Sequence, residues 1–360
     1  MKAKKLAKKL TGFAPVIAVF FALLIGVVIL LGVGANPLQA YRSLFLGAFG
    51  SWEALINTVV KATPLLFVAI GVTISFRGGV LNIGGQGQLI VGALTSAAIA
   101  LSLPNTPGWI LIILCLSASS ITGGIWGGIA GYLKAYFSVN EILGTIMLNY
   151  IAGLGMNYLL RGPMMDPLQK ELGSFIPQTA HIPSQAFLPR LPKTPLHLGV
   201  PIAVLLAIFA YIFLWKTTIG FRLRTTGENL RAARGAGINV NGYRVLSLFL
   251  AGAFAGLGGG VQVLGVYHRM FTTGSALGFT GNAGFNGIVA ALFGHLHPLG
   301  SIPSSFFFGA LTTGGNNMQR IVQVPSALIT AISGLVVIFV VGSEALRSHY
   351  FKKAEQGEEN

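Results

Sequence analysis

Apolar runs close to 20 residues long recur along almost the whole of this chain. A helix of about 20 residues is roughly 30 Å long, which matches the hydrocarbon core of a bilayer. Charged residues make up only 9% of the 360 positions, against about 25% in soluble domains. Because lipid offers the backbone no hydrogen-bond partners, such runs must form helices. The sequence therefore predicts an all-α fold, a polytopic transmembrane helical bundle.

About ten spans are expected, with both termini in the cytoplasm. Their approximate ranges are 13–34, 54–76, 86–103, 109–133, 141–160, 198–217, 245–267, 284–295, 299–315 and 325–346. In this topology most of the 24 Lys and Arg residues face the cytoplasm, as the positive-inside rule requires. Positive-inside topology and anionic lipid also account for the net charge of +15, so no nucleic-acid partner is expected.

The same topology divides the chain into a basic cytoplasmic N-terminus (1–12), a transmembrane domain (13–346) and a cytoplasmic tail (347–360). The first apolar run exceeds the roughly 7–15 residues of a signal peptide, so we expect it to stay as the first helix. The external loop 161–197 is rich in proline, which predicts an ordered cap or a flexible flap rather than regular helix.

Glycine recurs at every fourth position in two of the predicted spans. Gly123, Gly127 and Gly131 lie in one, and Gly252, Gly256 and Gly260 lie in the other. Such faces let helices approach closely in lipid. They fit either tight static packing or sliding surfaces for a conformational cycle.

Two copies of one pattern, Asn-x-Gly-x-amide-Gly, occur at 82–87 and 282–287. The first precedes a predicted outward-running span and the second an inward-running one. Because many transporters are built from inverted repeats, we predict inverted-topology repeats, although chance similarity is the alternative in a glycine-rich chain.

Sequence signals for catalysis are absent. The chain has no Walker loop and no H-E-x-x-H, and Cys115 is its single cysteine, so no metal site or bound cofactor is expected. His295 and His297 fit a surface turn better than a metal site. The predicted span interiors contain essentially no carboxylate, which argues against a membrane hydrolase and against ion-coupled transport.

Neutral amides do occur in the membrane domain, beside glycine. Each must find a hydrogen-bond partner, because burying an unpaired amide costs several kcal/mol. They either satisfy one another between helices or line a path for an uncharged polar solute. The candidate pathway residues are Asn82, Gln86, Gln88, Asn149, Gln262, Asn282 and Asn286. Lys61 is expected to extend outward to the membrane surface, with a pathway role as the alternative.

Residues 220–244 form a basic cytoplasmic segment between two spans. Gly227 would allow a sharp turn, Asn229 would cap a helix, and the following residues would form about two helical turns. Docking to a soluble partner and binding to lipid headgroups both fit, and small alanines favour a protein partner. The candidate docking residues are Gly227, Glu228, Asn229, Arg231, Ala232, Ala233, Arg234 and Gly237.

Three stretches resemble one known family, the ABC importer permeases of the ribose and branched-chain amino-acid superfamily. Residues 227–238 look like its cytoplasmic coupling segment, and 76–88 look like its N-I-G-x-E-G-Q signature. Residues 140–150 are similar to the nucleoside-uptake branch. Gln86 and Asn286 depart from the pattern, since relatives usually have Glu at the first position and often have Asp at the second.

The resemblance implies a translocation subunit that is not itself an enzyme, in the bacterial cytoplasmic membrane. It implies a second permease subunit, a two-cassette ATPase that binds ATP and Mg²⁺, and an external solute-binding protein. The solute expected for this chain is small, neutral and polar, with a nucleoside as the first expectation. A sugar of the ribose or galactofuranose type and riboflavin are alternatives within the family, and an ion-coupled secondary transporter is the alternative outside it.

Overall fold

The computed structural model describes residues 14–325, except 172, 174, 175 and 276, and also residues 328, 331, 332, 334, 335, 338, 339 and 342. The basic N-terminus (1–12), the tail (347–360) and most of the tenth predicted span lie outside the described residues. Regular structure in this part of the chain is helical, with two isolated β-bridges. Five helices are long and apolar enough to cross a membrane, which confirms the helical membrane bundle, while the number of spans stays a prediction.

The helices are short in the connections and long in the predicted spans. They are α1 Ala14–Gly32, α2 Pro37–Phe49, α3 Trp52–Arg77, α4 Gly85–Ser102, α5 Gly108–Phe137, α6 Glu141–Arg161, α7 Pro167–Glu171, α8 Gly199–Lys216, α9 Thr218–Glu228, α10 Leu230–Gly235, α11 Val240–Gln262, α12 Leu277–Thr280, α13 Ala283–Phe293 and α14 Ser301–Val322. A 3₁₀ turn covers Ser184–Ala186 and a π-helix covers Val263–Tyr267.

Two helices differ from the sequence prediction. Helix α14 continues past the expected end at 315, to Val322. Helix α2 was not expected, because its apolar stretch is too short for a span. Its start has a local cause: the side chain of Asn36 accepts hydrogen bonds from the backbone N–H groups of Leu38 and Gln39, and Pro37 has the backbone angle of a first helical residue.

The chain forms two compact units, one from its two ends and one from Ile56–Gly309. In the first unit, Leu30, Ala40, Met318 and Val324 share a buried apolar cluster. The Asn317 amide donates to the Ser43 carbonyl at 2.8 Å. This polar contact fixes the C-terminal part of α14 against α2.

The second unit is organised around α3 and α11, which are largely buried, while α5, α6 and α8 expose most of their surface. The two predicted glycine faces meet each other. A Cβ placed on Gly123 would lie 2.5 Å from the carbonyl oxygen of Gly252, and one on Gly127 would collide with the carbonyl of Leu248. This contact confirms that the faces permit close backbone packing of α5 on α11.

Candidate functional site

The two copies of the repeated pattern lie against each other. Each copy opens a helix, α4 after Gly84 and α13 after Asn282. The backbone N–H of Gly284 donates to Oε1 of Gln86 at 3.0 Å. Helix α13 has 11 residues and is roughly 16 Å long, too short to cross a bilayer. Two helix N-termini, each with a partial positive charge, therefore meet at this point.

Gln86 joins the two copies with both ends of its amide. Its Oε1 accepts from Gly284, and its Nε2 donates to the hydroxyl oxygen of Thr280. The side chain is only 4% exposed. An ionised glutamate can accept but not donate, whereas glutamine does both. This is a physical reason for an amide at a position where the resembling family usually has glutamate.

Asn82 and Gln88 satisfy each other. The Asn82 amide donates to Oε1 of Gln88 at 3.0 Å, and the Gln88 amide donates to Oδ1 of Asn82 at 3.2 Å. Oδ1 of Asn82 also accepts from the backbone N–H of Gly84 at 2.9 Å. Both side chains are buried. The pair fastens the extended segment before α4 onto the first turn of that helix.

Asn149 braces the same turn from α6. Its Oδ1 accepts from the backbone N–H of Gly87 at 2.7 Å, and its Nδ2 donates to the carbonyl of Ile83 at 2.9 Å. Four of the seven candidate pathway residues, Asn82, Gln86, Gln88 and Asn149, are thus brought together around the start of α4.

The other three candidates are placed differently. Gln262 ends α11 and is 6% exposed, and its Oε1 has no hydrogen-bond partner among the described residues. Asn282 has a left-handed backbone (φ +65°), and its side chain caps no N–H of α13. Asn286 lies one turn into that helix. The role of all seven residues in a pathway stays a prediction.

Over its described part, the proline-rich loop forms the ordered cap that was one of the two structures expected from the sequence. Its backbone N–H groups donate hydrogen bonds to carbonyl oxygens of the segment after α11. Leu188 donates to Leu264 at 3.0 Å, Ile182 to His268 at 2.9 Å, and Thr179 to Met270 at 2.9 Å. The Arg190 guanidinium donates to the carbonyl of Gly265. Carbonyl groups left unpaired at the C-terminal end of the π-helix thus find partners in the cap.

Two histidines, His197 in the cap and His268 beside it, have a lowered pKa. Burial, then Arg190 and His268, lower the pKa of His197 to about 4. Burial, then Arg190 and His181, lower the pKa of His268 to about 4. In the unfolded chain these groups titrate near 6.5. The cap therefore loses stability as the pH falls from about 6.5 to about 4, where protonation favours the unfolded chain.

No sequence pattern indicated the aromatic cluster that lies beside the paired helix starts. Tyr267, Phe271 and Phe279 form it, with ring centroids 5.1, 5.3 and 5.9 Å apart. Nζ of Lys61 lies 5.9 Å from the centre of the Tyr267 ring. The three aromatic residues come from irregular or short elements, so they lack the periodicity that identifies a helix face.

The basic segment forms two helices, α9 and α10. Asn229 caps α10 as predicted, since its side chain accepts from the N–H groups of Arg231 and Ala232. Gly237 (φ +73°) ends the helix. The turn predicted at Gly227 is wrong: this residue lies inside α9, where a Cβ would collide with the Arg77 carbonyl. Glycine is needed there for a close backbone approach.

Helix α10 presents its charged side outward. Ala233 is fully buried by its own chain, whereas Arg231, Ala232 and Arg234 are exposed. Because Ala233 packs against the chain while Arg231 and Arg234 point away from it, α10 presents an exposed basic surface. This is what docking to a soluble partner requires, and headgroup binding would use the same charges.

A cluster around Trp215 connects α9 to the rest of the unit. Arg224 and Arg77 lie over its ring, 5.5 and 5.6 Å from the centre, and the His297 ring lies 4.9 Å away. Arg77 also donates to the carbonyls of Leu296 and His295, at 2.9 and 3.3 Å. The turn at 295–297, which precedes α14, is thereby linked to α9 through Arg77, Trp215 and Arg224. The described residues contain no group of ligands that could hold a metal ion.

The chain matches the family described as branched-chain amino acid transport system, permease component, over residues 54–341. It is 34% identical to the guanosine ABC transporter permease protein NupP of Bacillus subtilis, covering 95% of this chain and 97% of that protein. It is 33% identical to the glucose ABC transporter permease protein TsgB13 of Haloferax volcanii, covering 95% and 89%. It is 30% identical to the nucleoside ABC transporter permease protein NupB of Lactococcus lactis, covering 91% and 89%. This chain therefore belongs to the family of membrane permease components of ABC transport systems.

Proposed function

We propose that this chain is the translocation subunit of an ATP-driven importer of nucleosides. The observation that carries the proposal is its end-to-end similarity to permeases named for guanosine and for nucleosides. A sugar is the second candidate, since a glucose permease is 33% identical. A relative of Treponema pallidum that is named as a probable riboflavin import permease is more distant, at 26%. The chain itself is not an enzyme, and ATP hydrolysis belongs to a separate ATPase.

The partners follow from the family and from pairs of relatives. Two different permeases of Bacillus subtilis, NupP and NupQ, both match this chain, and so do NupB and NupC of Lactococcus lactis. Such pairs support a second, non-identical permease subunit here. We also propose a two-cassette ATPase that binds ATP and Mg²⁺, and an external solute-binding protein.

Orientation is part of the proposal. Helices α9 and α10 lie on the cytoplasmic side, where the positive-inside rule assigns their arginines. Both chain termini are then cytoplasmic as well, in the cytoplasmic membrane of a bacterial cell. The proline-rich cap lies on the outer side, toward the solute-binding protein.

The ATPase would act through the exposed face of α10, which includes Arg231 and Arg234. Glu228 and Asn229 set the junction between α9 and α10. Motion of α9 reaches Trp215 through Arg224, and Arg77 passes it to the turn at 295–297. That turn is the C-terminal end of α13, whose other end bonds Gln86. The cluster thus offers a continuous packed connection from the docking helix to the paired helix starts.

The paired helix starts would form the gate of the pathway. Breaking the Gln86–Gly284 hydrogen bond would separate α4 from α13 and expose N–H groups that can bind hydroxyl and carbonyl oxygens of a solute. Gln262, Asn282 and Asn286 would contact the solute on its way. Asn82, Gln88 and Asn149 would keep the α4 side of the gate rigid.

The test is transport by the reconstituted importer. Proteoliposomes that contain both permeases and the ATPase, supplied with the binding protein, should accumulate radiolabelled guanosine only when ATP is present on the ATPase side. Glucose and riboflavin serve as the competing solutes. Accumulation under a sodium or proton gradient without ATP would overturn the proposal in favour of a secondary transporter.

A further inference from the structure

The aromatic cluster of Tyr267, Phe271 and Phe279 is held in place from two sides. On the cap side, Phe271 pairs with Gln178 in a β-bridge, and the N–H of Thr272 donates to the Pro177 carbonyl at 2.9 Å. On the membrane side, the Thr272 hydroxyl donates to Oδ1 of Asn157 on α6 at 2.7 Å. The segment that carries Phe271 is therefore fixed, although it is not helical.

The cluster lies directly before the gate. Phe279 is fully buried and is followed by Thr280, whose hydroxyl accepts from Gln86. Tyr267 and Phe271 are only half-buried, so part of their ring surface is accessible. A solute that moves from the cap toward the paired helix starts would meet these two rings first.

Lys61 adds a charged donor to the same place. Its side chain is exposed even though most of α3 is buried, and its ammonium group rests near the Tyr267 ring. No carboxylate pairs with it among the described residues. An ammonium group on a flexible stem has three donors and can turn from the ring to a ligand.

This combination fits one class of ligand. Aromatic side chains bind nucleobases by stacking, because every base has a π-face. A lysine beside the stack matches the acceptor edge of guanine, where N7 and O6 are adjacent. A sugar presents hydroxyl groups and no flat ring of this kind. Ring faces beside a single cationic donor therefore suit the flat base of a nucleoside better than a plain sugar.

We propose that Tyr267, Phe271 and Lys61 form a base-recognition site at the outer side of the gate. The Tyr267 and Phe271 rings are nearly perpendicular, so one stacks on the nucleobase and the other contacts the edge of the base, while Lys61 donates to its acceptor edge. This inference rests on the proposed function and deepens it. It assigns selectivity for an oxopurine base to the permease itself, in addition to any selectivity of the binding protein.

The test compares guanosine uptake by the complete importer in proteoliposomes. Tyr267→Leu removes the ring and should lower the maximal rate about tenfold, the scale of one lost stacking contact. Tyr267→Phe keeps the ring and should stay within about twofold of the unmodified rate. Tyr158→Leu, which changes an exposed tyrosine on α6 outside the cluster, is the matched control and should have no effect.

Lys61→Met tests the donor separately. It should reduce the ratio of guanosine to adenosine uptake about fivefold, because adenine has a donor beside N7 where guanine has an acceptor. Lys61→Arg should keep the ratio. Photolabelling of the importer with azidoguanosine, followed by peptide mapping, should mark the peptide that contains Tyr267 and Phe271 and should lose that mark in Tyr267→Leu.

The outcomes separate the two proposals. An importer that takes up no nucleoside at all would remove the proposed function and this site with it. An importer that takes up guanosine equally well with leucine and phenylalanine at 267, and whose photolabel lies elsewhere, would overturn the site alone.

Discussion

Asn82 and Gln88 show how a neutral amide is accommodated inside a membrane segment. Each donates to the other and accepts from it, so neither leaves a polar atom of the pair unmatched. Leaving one buried donor or acceptor unpaired costs about 1–3 kcal/mol. The net stabilisation by the hydrogen-bonded pair is therefore smaller than the destabilisation caused by removing one partner and leaving the other amide unpaired.

A double-mutant cycle should reveal this coupling. Asn82→Leu and Gln88→Leu should each lower the unfolding temperature of the purified importer, because each strands the other amide. The double variant should be destabilised by less than the sum of the two, by about 1 kcal/mol or more. Asn82→Leu should be the worse single change, since Asn82 also binds the N–H of Gly84.

The control for this cycle pairs Gln88→Leu with Gln39→Leu, a change at an exposed position of α2. The effects of these two substitutions on the free energy of unfolding should be additive, with no coupling energy between them. Additive effects of Asn82→Leu and Gln88→Leu would mean that the reciprocal hydrogen bond does not contribute to stability.

Sequence reasoning could find these amides but not their partners. Residue type and glycine context identified Asn82, Gln86, Gln88 and Asn149 as polar groups in need of hydrogen bonds. Which group meets which depends on the path of the extended segment before α4 and on the position of α6. Gly227 shows the same limit: glycine suggested a turn, and its actual cause is an approach to Arg77 from a distant helix.

At the scale of helices, the contact between α5 and α11 should be intolerant of any added side chain. Gly127→Ala would place a Cβ against the Leu248 carbonyl, and Gly256→Ala would place one against the Ser119 carbonyl. Backbone atoms cannot move aside as a flexible side chain can. Each change should destabilise the importer by about 1–3 kcal/mol, the range for overpacked cores, measured as a lower unfolding temperature and a lower yield of folded protein.

Gly155→Ala is the matched control for the α5–α11 prediction. Gly155 also lies within a helix, α6, but a Cβ there meets no atom within 4 Å. Alanine has the better helix propensity, by about 1 kcal/mol, so this variant should be as stable as the unmodified chain or slightly more so. Equal losses for Gly127→Ala and Gly155→Ala would show that close packing is not what requires glycine in α5.

Periodicity predicted elements well where they are long and regular, and poorly elsewhere. The glycine repeats predicted which helix faces pack closely, because the every-fourth-residue spacing is itself the geometry of one face. The unexpected helix α2 and the π-helix at Val263–Tyr267 carry no comparable pattern. A π-helix has one extra residue in a helical turn. Where that residue falls depends on tertiary contacts with the cap, so the local sequence does not indicate it.

For the whole molecule, composition was sufficient to predict a membrane bundle, and three sequence motifs were sufficient for its family. The proposed base-recognition site could not be predicted in this way. Its three members come from α3, the π-helix and an irregular segment, and they meet because the proline-rich cap and Asn157 of α6 hold that irregular segment in place. Long-range contacts of this kind leave no local signal.

Transport by the assembled machine should depend on the charge at α10. Arg234 is exposed and Ala233 beneath it is fully buried, so Arg234→Glu should reverse a surface charge without disturbing the fold of the helix. If the ATPase docks here through its carboxylates, like charges would then face each other at the interface, which costs several kcal/mol. We expect ATP-dependent uptake to be abolished and co-purification of the ATPase to be weakened, while membrane insertion and unfolding temperature stay unchanged.

Lys193→Glu makes the same charge change at an exposed position of the proline-rich cap, so it controls for net charge and expression. It should leave ATPase association intact. Were α10 instead a site for anionic lipid, Arg234→Glu would change uptake only in proteoliposomes that contain anionic lipid, and the ATPase would still co-purify in detergent. If α10 docks to the ATPase, Arg234→Glu should abolish uptake in neutral and anionic membranes alike, because the contact that is lost is with protein. Comparing the two variants in both kinds of membrane therefore decides whether energy enters this subunit through its basic helix.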